Sequence, residues 1–541
     1  MGDNICGIFK GGTMSKYLLC AFVALLAVTG CKKKQSADYG LNLDETFRMH
    51  FQTEPPTLDW TKSSDTTSST VINNLMEGLV TYDLNSDTLE LQPGLAESWM
   101  SNRDASVWTF KMKKDIKWSD GVAFTAQHAA DGLLRLLDPK TAAKYAYFIF
   151  GIKNAKPYST GELKDASQVG IEVVNDHTLQ ITLERPMSFF PQLLTHVPTF
   201  PVRLDVIAKH GDTWTEAGNI VTLGPYKLKI WEHDKAIVLE KNDTYFGRPA
   251  KTPYILGYII NEATTARNMF DLGRIDAQMD LPANELSLLK ERKEFEDQNI
   301  LGIFYFGFNT KKAPMDNLKV RKAISMAIDK DEIVKMLGGG QIPLAGWIPK
   351  GMKGYDENMG LKYNTEMANK LLDEAGYKDR STFPRITLAF NTNDNHKRLA
   401  ESVQAQLKSK LGIQIELRNE EWKVYLESLQ TDPPHIFRLG WLADIPDPDN
   451  FMNFLLSDSD NNHTNWGNPR FDELVIKAAS VTNDAERMKL YDEAQRILVE
   501  QDIPVLPIYT MVETMMVNER VKGFPANAIS QMKFKDIEIT N

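Results

Sequence analysis

Thiol chemistry in this chain is confined to its first 31 residues: Cys6, Cys20 and Cys31 are followed by no cysteine between Lys32 and Asn541. A disulfide scaffold, a thiolate metal centre and a cysteine nucleophile are therefore excluded from the body of the protein. No Gly-x-Ser-x-Gly elbow and no His-Glu-x-x-His pair is present, and the nine histidines are scattered without metal-ligand spacing. Gly338-Gly339-Gly340 lacks the lysine and hydroxyl of a phosphate loop and reads as a turn. The run Asp444-Ile445-Pro446-Asp447-Pro448-Asp449 brings three carboxylates close together, as calcium would require, but its spacing is wrong for a calcium loop and it has no glycine at the sharp turn. The residues thus specify no enzyme, no metal and no cofactor. What remains is non-covalent recognition by carboxylates, guanidinium groups and an ample stock of aromatic rings, 10 Trp, 17 Tyr and 25 Phe.

The first cysteines belong to an address. Lys16 precedes an apolar run, Tyr17 to Val28, that is too short to span a bilayer and is followed by Thr29-Gly30-Cys31. A positive start, an apolar stretch and small residues before a cysteine resemble a bacterial lipoprotein signal. On that reading 1–30 is removed and Cys31 is acylated. The polar stretch at 31–43 reads as a flexible tether.

The rest of the chain has the make-up of a folded body, with 42% hydrophobic and 25% charged residues. A net charge of −10 argues against nucleic acid as a partner, since phosphates call for basic surface. Alternation of polar and apolar residues predicts strands at 107–112, 177–183, 386–390 and 413–417. Between the last two, Leu399, Val403, Leu407 and Leu411 recur every four residues, so 396–411 is a helix and the three pieces form a parallel βαβ unit. Further helices are expected at 366–375, stopped by Gly376, and at 485–501, ended before Pro504. The body is α/β.

From Phe47 onward, a series of short stretches resembles the peptide-binding branch of the extracellular solute-binding proteins of family 5. They include Glu54-Pro55-Pro56-Thr57-Leu58-Asp59, Leu95-Ala96-Glu97-Ser98-Trp99, Lys117-Trp118-Ser119-Asp120-Gly121, Gly224-Pro225-Tyr226, Glu421-Trp422-Lys423 and Gly440-Trp441-Leu442-Ala443-Asp444. Each is weak alone; their order over nearly the whole mature chain is specific. The resemblance implies a two-lobed type II clamshell with an extra small domain and a two-segment hinge. One lobe would comprise 44–76, 201–301 and 513–541, the accessory domain 77–200, and the second lobe 302–512. It also implies short peptides as ligands, an ABC permease with its ATPase subunits as partners, and a monomer that is no enzyme.

A protein that binds peptides without regard to sequence must hold their constant parts, namely an ammonium, a carboxylate and backbone N–H and C=O groups. By resemblance Asp444 takes the ammonium, and Gly440, Trp441 and Leu442 pair with the ligand as an added strand. Thr66 and its neighbour Ser64 face it from the other lobe. Trp422 and Trp441 wall side-chain pockets, Tyr145 contacts the ligand, Arg438 and His396 serve its carboxylate, and Asn391 lines a pocket. Read without the resemblance, the tryptophans fit a core better than a pocket, His396 fits a helix cap or flank, and Arg438 fits a structural pair with Asp444 or a neighbour. Ser64, Gly307, Gly338 and Leu429 stand where the best-known family members carry charges, which predicts a more apolar ligand or a different preferred peptide length. A non-peptide ligand such as a nickel chelate, haem or sugar, or else a murein peptide, is the alternative, because one fold hosts many ligands.

Overall fold

The computed structural model describes residues 37–86 and 89–540. Cys31, the apolar run before it and the tether up to Ser36 lie outside the described residues.

One sheet of eleven strands runs through the molecule. Its middle is formed by the two longest strands, Phe295–Phe308 and Val505–Val517, which pair antiparallel. Their register shifts between Asn299 and Ile303, and that break divides the sheet. On one side, Val505–Val517 passes its edge to Ala277–Met279, and the sheet continues through Thr46–Phe51, Tyr254–Ile259, Ala236–Lys241 and Tyr226–Glu232. On the other, Phe295–Phe308 pairs with Ile436–Leu442, followed by Ile386–Asn391 and Ile415–Glu420. Among the described strands, only the two long ones belong to both halves.

The first half is assembled from distant pieces of chain, and a buried charge cluster ties them. Asp276, with its side chain 1% exposed, accepts bidentate bonds from Arg48 and is also bonded by Arg520. In the second half the expected βαβ unit is present. Ile386–Asn391 and Ile415–Glu420 are parallel neighbours joined by the helix Asp394–Leu411. Asn393 caps that helix by accepting from the His396 N–H, and Leu399, Val403, Leu407 and Leu411 form its buried face. The second strand starts two residues later than the alternation predicts. Gly412, at φ 71°, ends the helix, and Ile413 is used in the core while the chain turns. The other two helices run from Thr365 to Glu374 and from Asp484 to Arg496. The latter continues as a π-helical turn, Ile497–Asp502, up to Pro504.

A separate antiparallel sheet of four strands, in the order Ala96–Ser101, Val107–Met112, Thr178–Thr182, Ile171–Asn175, carries the helix Ala126–Leu137 on one face. Leu133, Leu136 and Leu137 of that helix are buried, as are Phe110, Leu179 and Ile181 of the strands. Among the described residues no helix is long and apolar enough to cross a membrane.

Candidate ligand-binding site

A cavity of about 400 Å³ lies where the two halves of the large sheet and the small sheet's unit meet. The first half contributes 64–67, the start of the helix Thr66–Leu75, whose N-terminus is capped by the Asp65 carboxylate accepting from the Ser68 N–H. The second half contributes Trp422, at the start of the helix Trp422–Thr431, and the whole run from Arg438 to Asp444. Lys144, Tyr145 and His196 close the third side. The Trp422 indole faces Asp65 across the cavity and pulls its carboxyl pKa down, against the larger upward push of burial.

Asp444 stands just past the strand Ile436–Leu442, with its side chain 12% exposed. Its carboxylate accepts from Asn450 Nδ2 at 3.0 Å and from the Tyr145 hydroxyl at 3.3 Å, while its own N–H donates to Asn450 Oδ1 at 2.9 Å. His196 Nδ1 is 3.4 Å from its other oxygen. Burial, opposed by Asp444, pushes the pKa of that imidazole below its ordinary value, so His196 is a neutral neighbour at pH 7. Burial also raises the Asp444 pKa, against the pull of His196 and the hydrogen bonds. No lysine or arginine pairs with Asp444 among the described residues. Its donors fix its position but leave its charge uncompensated, in a place where an uncompensated charge is costly.

The other two acids of the same run are used internally. Asp447 forms a bidentate pair with Arg487, and Asp449 accepts from Tyr491 at 2.8 Å and Asn453 at 2.9 Å. Only Asp444 is presented to the cavity. Trp441 beside it is held rigidly. Its indole donates to Asn450 Oδ1, its ring stacks on Phe454 with centroids 3.9 Å apart, and Tyr145 lies parallel on its other flank at 6.2 Å. Gly440 leaves room for the flexible end of Met511, whose Cε lies where a Cβ would be.

Of the residues singled out in the sequence, Asp444, Trp441, Trp422, Tyr145, Arg438, Gly440, Leu442 and Thr66 line this cavity, and Ser64 does too. His396 and Asn391 do not. Asn391 sits behind Arg438, accepting from its Nη1 at 2.9 Å, and His396 packs 5.7 Å from the Phe304 ring. Burial, and then the nearby Arg438 charge, drive the His396 pKa well below its usual value. Both residues therefore stand off the cavity wall beside Arg438, and a neutral imidazole there can offer a ligand carboxylate a hydrogen bond but no charge. Arg438 does not pair with Asp444; its guanidinium lies 4.6 Å from the centre of the Phe304 ring and its Nε is buried without a partner.

The expectation of a charge-poor cavity is also corrected. Gly307 has no room for an acid, since a Cβ there would collide with the Phe437 ring; Gly338 is a helix C-cap at φ 69°; and Leu429 is core. Yet the wall includes Asp65, Lys144 and Glu513, none of which the sequence singled out. Asp65 adjoins Ser64, and Glu513 is the one charge in the apolar strand Val505–Val517, a signal that was readable. Nothing local marked Lys144 or His196.

A cavity between two halves that, among the described strands, share two crossing ones defines a two-lobed binding protein, whose ligand is buried when the lobes close. The comparisons agree. Residues 90–463 match the model of the bacterial extracellular solute-binding proteins, family 5. The chain is 34% identical over 530 residues to the periplasmic oligopeptide-binding protein OppA of Salmonella typhimurium, covering 96% of each. The crystal structure of Haemophilus influenzae OppA in complex with RPPGFSPFR superposes with a TM-score of 0.87 at 30% identity, over 93% of this chain and 100% of that one. The Escherichia coli murein tripeptide binding protein MppA gives 0.88 at 30% identity, over 93% and 99%. A structure of MppA in its unliganded open form gives only 0.63, at 31% identity over 92% and 98%. The chain belongs to the family 5 extracellular solute-binding proteins, its fold is their two-lobed clamshell, and its lobes stand in the closed arrangement.

Proposed function

We propose that this protein is the substrate-binding component of an ABC importer for oligopeptides. It takes an extended peptide by its ammonium at Asp444 and by main-chain bonds along 440–442. The observation that carries this reading is the Asp444 carboxylate, which is largely buried, positioned by Tyr145 and Asn450, and without a lysine or arginine partner among the described residues. An ammonium supplies the missing charge and extra donors, and it does so for any peptide. The rings of Tyr145 and Trp441, the latter backed by the buried Phe454, offer apolar walls that accept varied side chains. Arg438, propped by Asn391 and Phe304, is the cation available to the ligand's other end. The names of the relatives, oligopeptide-binding and murein tripeptide-binding, support the ligand class. Their family supports a solute-binding role in place of catalysis.

We further infer that Cys31 carries the lipid that holds the protein to the outside of a membrane; fatty-acid labelling that disappears in Cys31→Ala tests it. The lobes are 44–76 with 201–301 and 513–541, and 302–512, with 77–200 as the accessory domain. The protein acts as a monomer and docks on a permease that brings its own ATPase subunits. The decisive experiment is native mass spectrometry of the soluble mature protein, as purified and after refolding with a peptide mixture. Added mass that fragments into peptides is expected. A cavity that stays empty with peptides but fills with a metal chelate, haem or a sugar would overturn the reading.

A further inference from the structure

Glu513 lies on the strand Val505–Val517, just past the break at which that strand crosses from one half of the sheet to the other. Met511 and Glu513, two residues apart and hence on one face of the strand, both line the cavity. The two oxygens of Glu513 are not equivalent. The Ser530 hydroxyl donates to Oε1, whereas among the described residues nothing donates to Oε2. Nor does any described cation pair with this carboxylate. The charged neighbour that acts on it is another acid, Asp280, which is itself held by Asn393 at 2.6 Å and Asn395 at 3.1 Å. Arg438, on the same side of the cavity, is turned to Asn391 and Phe304. Asp444 shares none of these neighbours; its surroundings are His196, Tyr145 and Asn450. Of the three carboxylates on the cavity wall, Asp65 is taken up by its helix cap, whereas Asp444 and Glu513 stand open in separate settings, and the ligand's single ammonium can satisfy only one of these two.

We propose that Glu513 reads the charge of a ligand side chain, so that the cavity prefers peptides that place a lysine or arginine at that position. This rests on the peptide reading above and names the substrate class within it. Burial, and then the Asp280 charge, raise the Glu513 pKa to about 7, so the empty site is not obliged to bury a full negative charge and ionises when a cation arrives. A neutral apolar side chain in the same place would cover Oε2 without giving it a donor, which costs the ligand affinity.

The test uses matched tripeptides to pentapeptides in which one position is either lysine or norleucine, titrated calorimetrically into the refolded, ligand-free protein. At one position lysine is expected to bind tighter than norleucine by about tenfold or more. In Glu513→Gln, checked for folding by its thermal midpoint, that ratio collapses towards one. An unchanged ratio in Glu513→Gln, or equal loss of both ligands, overturns the proposal and leaves the peptide reading standing. Wild-type protein that binds neither member of any pair overturns the peptide reading and this one together.

Discussion

At the scale of single residues, the site is a matter of which charges are already neutralised. Asp276, Asp447 and Asp449 each have strong donors from within the chain, and Asp444 has only positioning ones. Asp444→Asn removes the charge and keeps the shape. It is expected to weaken binding of free peptides by about 2–5 kcal/mol while leaving N-acetylated peptides equally weak for wild type and variant. Similar affinities of the wild type and the Asp444→Asn variant for an unblocked peptide would contradict the role. The pH dependence has a definite sign. Burial raises the Asp444 pKa in the empty protein, and an ammonium in contact lowers it. Affinity must therefore fall as pH drops through the raised value, by about 1.4 kcal/mol per pH unit until the lower, bound-state value is reached. On the alkaline side it falls again as the ligand's amine loses its proton near about 7.7–8.0. A calorimetric profile that is flat between acid and neutral pH would exclude an ionised Asp444 as the partner.

At the scale of elements, the strand Ile436–Leu442 and the strand Val505–Val517 must approach closely enough for Met511 to lie over Gly440. Gly440→Ala forces the flexible end of Met511 to swing aside, and is expected to cost little stability, under about 1 kcal/mol, while narrowing the cavity. Adding Met511→Ala in the same chain should recover part of the binding, measured against each single variant. These elements also show how much the sequence could disclose. The helix Asp394–Leu411 and its flanking parallel strands were legible, because one apolar face at a spacing of four and two alternating runs leave a single consistent arrangement. Asp444, Trp441 and Tyr145 were legible only through their resemblance to a family, since the elements that bring them together are far apart in the chain (299 residues between Tyr145 and Asp444). His396 stands off the cavity wall for a physical reason that spacing cannot display. Its ring packs behind Arg438, and desolvation removes the charge that made it a candidate. Gly307 and Gly338 looked like deleted charges, but the Phe437 ring and a left-handed helix cap explain them as packing and turn geometry.

At the scale of the whole molecule, closing the lobes is a balance between the joints and the contacts made across the cleft. The joints are the two long strands, whose pairing is already interrupted between Asn299 and Ile303. Leu301 is bonded instead by its N–H to Ala528 and by its carbonyl to Ala443. This gap lets the halves rotate with few ladder bonds lost. The cross-cleft contacts include a small polar latch beside the joint. Asp280, from the first half and with a positive φ of 52°, accepts from Asn393 and Asn395 of the second, and Asn395 also bonds Leu281 O and the Ala283 N–H. Burial keeps the Asp280 pKa raised against those bonds, so the latch is held by hydrogen bonds more than by charge. None of its members lines the cavity. Replacing Asn395 with alanine therefore removes donors and an acceptor from the closed state without touching the ligand. Each bond of this kind is worth about 0.5–1.5 kcal/mol, enough to shift an equilibrium between open and closed forms severalfold. The expected outcome is a larger radius of gyration for ligand-free Asn395→Ala in solution scattering, and a peptide dissociation rate raised severalfold in stopped-flow measurements. The association rate should stay near that of wild type, because the open form is the one that admits ligand. A faster dissociation with an unchanged ligand-free radius would place the latch's effect on the loaded protein alone. An unchanged dissociation rate would mean that ligand contacts by themselves hold the lobes shut, and that the latch merely forms once they have closed.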